Sequence, residues 1–534
     1  MKKLLLSLLA AAALGGPAAA QTLFLIGDST CANKDLKKQN PERGWGQLFQ
    51  ALVTEPLHVE NHAVNGRSTK SFRDEGRWDV VCERLREGDY VFIEFGHNDQ
   101  KINDSTRYAD PAQYAENLRR YVRETRERGG RPVLLTPIVR RNWVDGVLTD
   151  THGDYPAQVL RIANEEQVPF IDMELLTRDW VNGLGDEPSK EYFMWVAPGT
   201  NPLHPDGRTD DTHLNARGAH VVARLVLQAC RTLLPELASS LRNPDLVVAK
   251  DGSGDFFTVA EAVAALPDFS SREIWVLVRE GLYKEKISVP YTKRFVRMTG
   301  DGAERTILSY DGYAGRPNGF GAQMGTSGSS TIYFGADNWS VEDICFENTA
   351  GPVGQAVAAQ CLGTNLLFTR CRFLGYQDTL YLYGRGNSEK AVDGNSACRF
   401  VDCYIEGTID FIFGSAEAWF EGCEIRSKRD GYISAASTCQ GQPRGFVFRR
   451  CRLTADEGVD ACYLGRPWRA YAKVWFVECE MGSHILPEGW HNWDKPETER
   501  TSDFAEYGST GPGGNLSKRV KWARKLSARE VAGL

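Results

Sequence analysis

The sequence predicts two domains of different class: a three-layer α/β domain with a parallel sheet, followed by an all-β, right-handed parallel β-helix. Three observations carry this expectation. The chain has 534 residues, more than one hydrophobic core of ordinary size organises. Residues 22–241 alternate short apolar runs with longer amphipathic ones, the grammar of a parallel sheet covered by helices on both faces. Beyond residue 246 a different unit, Phe-x-x-Cys-x-apolar, recurs at solenoid spacing.

In the first half, strands are expected at 23–26, 58–64, 90–95, 132–136 and 169–172. Between the third and fourth, Tyr114, Leu118 and Val122 recur at helical spacing with arginines on the other face, and Gly129-Gly130 is the stop. A last helix, 216–234, closes a domain of 22–234. Pro235, Ser239-Ser240 and Asn243-Pro244 then read as a linker over 235–245. In the following domain, 246–534, Thr258 and Glu261 form a capping box that opens an alanine-rich helix, 259–266, placed to cap the solenoid.

The repeat runs Phe368/Cys371/Phe373, Phe400/Cys403/Ile405, Phe420/Cys423/Ile425, Phe448/Cys451/Leu453 and Phe476/Cys479/Met481, with Val341/Ile344/Phe346 one unit earlier. Each unit is too small to bury its own apolar face, whereas stacked units bury it jointly. Five of the thirteen cysteines thereby occupy one inward slot and read as packed core thiols. Cys361, Cys398, Cys439 and Cys462 leave room for one disulfide. No CxxC pair and no His–Cys cluster occurs at metal spacing, so neither zinc nor another cofactor is expected.

The N-terminus has two lysines, an apolar run over 4–14 and Ala18-Ala19-Ala20, the pattern of a secretory signal over 1–20 and hence of export to periplasm or medium. No later run is long enough to span a bilayer. A net charge of −7 offers no global attraction to nucleic acid. An acidic substrate must therefore be gripped locally. The arginine-rich stretch 119–131 and the basic tail 518–525 read as solvated helix faces.

Counting from the repeat cysteine locates a carboxylate pair. Asp378 stands seven after Cys371, and Asp410 seven after Cys403. Equivalent slots in adjacent coils lie one strand spacing apart, about 4.8 Å. Like charges that close cannot both ionise readily, so one pKa is expected to rise and the other to fall, giving an acid and an ionised nucleophile. An inert ladder of aspartates is the structural alternative.

Around the pair stand Gly281-Leu-Tyr-Lys-Glu285, Gln355-Ala-Val-Ala, Gln377-Asp378-Thr379-Leu380, Asp410-Phe-Ile-Phe-Gly414 and Leu464-Gly-Arg466-Pro-Trp468. Together these resemble the signature segments of pectin methylesterases, over about 247–526. The resemblance implies that Asp410 attacks a galacturonate methyl ester and that Asp378 serves as acid, then base. It further implies that Gln355 and Gln377 hold the oxyanion, that Arg466 aims Asp410, and that Trp468 supports a sugar ring of methylated homogalacturonan.

The first half carries a second set: Gly27-Asp28-Ser29-Thr30, Asn65-Gly66-Arg67-Ser68 and Gly96-His97-Asn98-Asp99 follow its first three strands, and Asp210-Asp211-Thr212-His213 precedes its last helix. In open parallel sheets, ligands sit beyond the carboxyl ends of strands. These segments resemble the SGNH (GDSL-like) hydrolases, and their wording is similar to the rhamnogalacturonan acetylesterases. That likeness implies Ser29 as nucleophile, His213 as its base and Asp210 as the group orienting the imidazole. The Ser29 and Gly66 amides with the Asn98 side chain would form the oxyanion hole. Asp211 is the weaker triad candidate. The expected whole is a bifunctional enzyme that removes methyl esters from pectin and acetyl esters from rhamnogalacturonan or pectin. A glycosidase or lyase on the same β-helix, or a pectin-binding solenoid, are the alternatives.

Overall fold

The computed structural model describes residues 21–384 and 396–534, and the chain divides into two compact units between Asn243 and Pro244. The expected signal over 1–20 lies outside the described residues.

The first unit is built on five parallel strands, β1 (Gln21–Gly27), β2 (Leu57–Asn61), β3 (Tyr90–Glu94), β4 (Arg131–Leu135) and β5 (Phe170–Ile171), in the order β2-β1-β3-β4-β5. The near-continuous apolar runs follow from covering both faces. Phe24, Ile26, Val91, Ile93 and Leu134 meet Tyr114, Leu118 and Tyr121 of one helix (Pro111–Glu127) and Val159 of another (Tyr155–Glu166). Phe92 points the opposite way, its ring 6.5 Å from that of Phe49 in a short helix (Trp45–Phe49). The closing helix, Ala216–Leu233, packs on that short helix. Asp110 starts the 111–127 helix by accepting from the amides of Ala112 and Gln113, with Pro111 in the first turn. The arginines of this helix are paired at the surface, Arg119 with Glu116 and Glu165 and Arg123 with Glu166. Chain direction across the sheet reverses at β1, so the ends of β1 and β3 open onto the topological switch point.

The stretch expected as a linker is largely folded. Pro235–Ser240 forms a 3-10 helix, Leu237 and Leu241 are buried, and the Arg242 amide donates to Leu52 at 2.9 Å. The proline and serines advertised a turn, and the two leucines anchor it to the first unit.

In the second unit every pairing between strands among the described residues is parallel, in one eleven-stranded and one branched thirteen-stranded sheet. The repeated phenylalanines form a ladder inside the eleven-stranded sheet: Phe368, Phe400, Phe420, Phe448 and Phe476 stack at 4.4–5.0 Å with rings within 10° of parallel. The repeated cysteine lies at a corner between sheets. Before each stands a residue with positive φ, Arg370, Asp402, Gly422, Arg450 and Glu478, at 50–65°. This left-handed residue turns the chain onto the other sheet, and each cysteine Sγ donates inward to a carbonyl of the preceding coil at 3.4–3.5 Å. All thirteen cysteines are free, including Cys361, Cys398, Cys439 and Cys462, so the disulfide left open by the sequence is not formed.

Thr258 and Glu261 make the reciprocal capping box, and the helix Val259–Ala265 extends the core with Val259, Ala262 and Val263. The basic tail differs from the expected helix face. Arg519 buries its guanidinium against Glu506, Nε to Oε1 2.8 Å, and Trp490 donates to the same oxygen at 3.0 Å. No helix among the described residues is long and apolar enough to cross a membrane.

Candidate active sites

In the second unit, Leu380 pairs with Ile412 across adjacent coils, so Asp378 and Asp410, two residues earlier on each, are opposite one another. The Asp378 amide donates to the Ile409 carbonyl at 3.2 Å. Both aspartates take the left-handed backbone, φ 67° and 51°, a conformation uncommon for non-glycine residues and frequent where a site needs a side chain aimed. The register of Tyr404–Gly414 with the following coil shifts between Ile409 and Ile412. Asp410 therefore projects from a β-bulge.

Arg466 holds Asp410 with two bonds, Nε to Oδ1 2.9 Å and Nη2 to Oδ2 2.7 Å. The guanidinium is itself clamped between the rings of Tyr432, 3.8 Å away, and Trp493, 3.7 Å away. Such a sandwich fixes a planar cation in a way a lysine ammonium does not permit. Each aspartate is 7% exposed. Burial, with the Asp410 charge added, pushes Asp378 up to about 8, against the pull of Arg466. Asp410 is also raised, because burial outweighs the bonds and charge of Arg466. The sequence expectation that its pKa falls is therefore corrected. What survives is the asymmetry: only Asp410 has the arginine bound to its carboxylate.

Gln377 precedes Asp378, and its carbonyl accepts from Ala356, so Gln355 lies one coil earlier beside the pair. Gln355 is exposed and Gln377 half-buried. Trp468 is half-buried and leans on Tyr381 and Phe413, centroids 6.4 and 5.8 Å away. Tyr381 and Phe413 stack at 4.2 Å, and with Val357 and Ala435 they make an apolar patch outside the coil, with Trp468 and Trp493 packed against it. Sequence reasoning missed four of these rings. Two carried a readable signal: Tyr381 is three after Asp378, and Phe413 three after Asp410.

In the first unit the Ser29 hydroxyl lies 2.9 Å from Nε2 of His213, whose Nδ1 lies 2.8 Å from Oδ2 of Asp210. The other Asp210 oxygen accepts from the amides of Thr212 and His213. Burial raises the Asp210 pKa, but the bonds from His213 and Thr212 and the histidine's charge outweigh it and hold the carboxyl well below its usual range. Asp211 serves elsewhere, accepting from Arg141 at 2.7 Å and from the Trp195 indole at 2.9 Å. Arg208 bridges Asp210 and Glu42. Lys34 donates at 2.6 Å to both the Ser29 carbonyl and Asn65 Oδ1, tying the first two loops.

Gly66 has φ 76°, where a side chain would be strained. Asn98 is 2% exposed; its Nδ2 donates to the Arg67 carbonyl at 3.0 Å and its Oδ1 accepts from Lys101 at 2.7 Å. Those opposite demands fix which way the amide faces. Behind Ser29, ligand atoms of Asp28, Glu94 and His97 lie within 4.8 Å of one another, a grouping that the spacing of these residues in the chain does not advertise. The Thr30 hydroxyl lies 2.9 Å from Asp28 and 3.1 Å from Glu94, and Trp45 donates to Glu94 at 3.3 Å. Burial opposes charge on Asp28, but His97 and Thr30 prevail and hold it at about 2. Burial, and after it the Asp28 charge, push the Glu94 carboxyl well above its usual range.

Residues 245–532 match the family model described as Pectinesterase, and residues 25–221 match the GDSL-like Lipase/Acylhydrolase family. The chain belongs to the pectinesterase family. Relatives of its pectinesterase unit include Pectinesterase 31 of Arabidopsis thaliana, 36% identical over 290 residues, which are 53% of this chain and 88% of that protein. Another is the pectinesterase/pectinesterase inhibitor of Ficus pumila var. awkeotsang, 36% identical over 317 residues, with 57% of this chain but only 55% of that protein covered. Among solved structures, pectin methylesterase from carrot matches with a TM-score of 0.50 and 32% identity, over 54% of this chain and 90% of that one. Both matched families are carboxylic ester hydrolases. In this chain the acylhydrolase match precedes the pectinesterase match.

Proposed function

We propose that the chain removes two kinds of ester from pectin, methyl esters at the Asp378/Asp410 centre and acetyl esters at the Ser29 centre. The observation that carries the first is the pairing, across adjacent coils, of a buried Asp378 with an Asp410 that Arg466 grips by both oxygens. Asp410 Oδ attacks the ester carbonyl of a methylated galacturonate, and the amides of Gln355 and Gln377 donate to the oxyanion. Collapse breaks the C–O bond to methoxide, which takes the Asp378 proton and leaves as methanol. The resulting acyl-aspartate anhydride is then hydrolysed by a water whose proton Asp378 accepts, which regenerates both carboxyls and frees the galacturonate carboxylate. Trp468, with Tyr381 and Phe413, offers the apolar face on which a pyranose ring rests.

At the other centre Ser29 attacks an acetyl carbonyl while His213 takes its proton, with Asp210 holding the imidazole. The Ser29 and Gly66 amides and Asn98 Nδ2 receive the oxyanion; its collapse expels the sugar oxygen, which takes the proton from His213 and leaves as the free hydroxyl, and a water that gives a proton to His213 then cleaves the acetyl-serine to acetate. The polymers that suit the pair are methylated homogalacturonan and acetylated rhamnogalacturonan or pectin. Export, which the leader-like segment 1–20 would direct, brings the enzyme to them.

The test supplies methylated, unacetylated pectin and acetylated, unmethylated pectin to three forms of the full chain. Asp410→Ala should lose methanol release by at least about 10³-fold while acetate release persists, and Ser29→Ala should do the reverse. Either substitution removing both activities from a folded protein would end the two-site reading.

A further inference from the structure

We propose that Lys101 and Arg107 form a carboxylate-binding subsite beside the Ser29 centre, so that the first unit deacetylates a chain bearing free uronates in preference to a neutral or methylated one. This rests on the acetylesterase reading of Ser29. Both cations lie on the segment following β3, and both reach the residues assigned to the oxyanion. Lys101 Nζ is 2.7 Å from Asn98 Oδ1. The Arg107 guanidinium lies over Gly66, its carbon 3.6 Å from the place a Cβ would occupy there. A Cβ at residue 66 would stand in ordinary van der Waals contact with the guanidinium, so the cation lies directly beside the Gly66 backbone.

The local charge is unbalanced. Among the described residues Lys101 pairs with no carboxylate, and Arg107 pairs only with Asp104, through Nε at 3.2 Å. Arg140, a third cation nearby, is spent on the Thr151 and His97 carbonyls and the Thr151 hydroxyl. Burial first, then the charges of Arg107 and Arg140, lower the Lys101 pKa, against the pull of Asp28 and Asp104. Cations crowded in this way repel each other until an anion joins them. Arg107 keeps its two terminal nitrogens for that anion, a fork that matches a carboxylate. A galacturonate bearing an acetyl group presents one on the same chain. The methylesterase centre generates that carboxylate, so demethylation would supply the better substrate for deacetylation.

The experiment uses the full chain with Asp410→Asn, which leaves methyl esters in place, and measures acetate from acetylated oligogalacturonates with free or methylated carboxyls. p-Nitrophenyl acetate serves as the ester without a carboxylate. The expected kcat/KM favours the free acid by about tenfold or more, the scale of one hydrogen-bonded charge pair. Arg107→Gln and Lys101→Gln should each reduce that ratio towards one; any loss common to both substrates divides out. Equal rates on free and methylated substrates would overturn the subsite, as would a preference that survives both substitutions. Absence of Ser29-dependent release from every ester, p-nitrophenyl acetate included, would instead remove the acetylesterase reading and the subsite with it.

Discussion

The two sites are assembled in opposite ways. In the β-helix, Asp378 and Asp410 occupy one column of a repeat, neighbours because adjacent coils stack in register. In the α/β unit, Ser29, Gly66, Asn98 and His213 arrive on four loops, and the serine and histidine that touch are 184 residues apart in sequence. The columnar site depends on register, since a one-residue slip sends every side chain to the other face. The loop site depends instead on crosslinks such as Lys34 to Ser29 and Asn65, or Arg208 to Asp210 and Glu42. A column brings like groups together and must manage their repulsion; the Ser29–His213–Asp210 chain joins unlike groups and need not.

The sharpest way to test that contrast is at the repelling pair. Asp378→Asn keeps the shape and removes the proton donor, so methanol release should fall by about 10²- to 10⁴-fold. The wild-type rate should decline as pH rises through about 8, where Asp378 loses its proton. It should also decline on the acid side as Asp410 becomes protonated. In the variant the limb near pH 8 should vanish; its persistence would assign that limb to another group.

A smaller effect is expected at the clamp. Tyr432→Leu or Trp493→Leu takes one ring from the guanidinium sandwich, an interaction worth about 0.5–2 kcal/mol, and should lower kcat roughly tenfold with little change in KM. The acid limb should move to higher pH, because a looser Arg466 opposes protonation of Asp410 less well. Tyr432→Phe keeps the ring and should behave as wild type. A KM effect alone would make these rings substrate contacts and not positioning residues.

Much of this was readable in the chain, for a reason that differs between the units. The seven-residue offset from Cys371 and Cys403 located the aspartates, because a repeat converts sequence distance into spatial order. The same rule at plus three reaches Tyr381 and Phe413. Tyr432 and Trp493 follow no such count: one lies between the two register shifts, the other in the closing segment beyond the last Phe–Cys unit. The corner residues hid behind a uniform motif, since positive φ falls on Arg370, Asp402, Arg450 and Glu478 as well as on Gly422. In the first unit the loop words were legible, but Glu94 was concealed in an apolar strand, and its approach to Asp28 and His97 depends on strand order. The rise of Asp410 was illegible because burial is a property of the packed whole.

The last expected effect is on stability and not on rate, and it separates the sites by sign. Asp378 has a folded pKa of about 8 against an ordinary 3.8. Between those values the folded state keeps a proton that the unfolded state has released. Its contribution therefore favours folding at low pH and is lost as pH rises from about 4 to about 8. Asp378→Asn should leave stability unchanged near pH 4 and raise it by a few kcal/mol at pH 8, with about 1.4 kcal/mol for each tenfold change in proton affinity as the ceiling. Asp210 goes the other way, held down by His213 and Thr212. Its stabilisation is present above pH 4 and is lost as pH falls through the lowered value, so Asp210→Asn should destabilise the first unit at pH 7. Thermal unfolding of both variants from pH 4 to 9 decides the matter. A destabilised Asp378→Asn at pH 8, or a stabilised Asp210→Asn at pH 7, would mean that the column is not a site of stored repulsion or the triad not one of relieved charge.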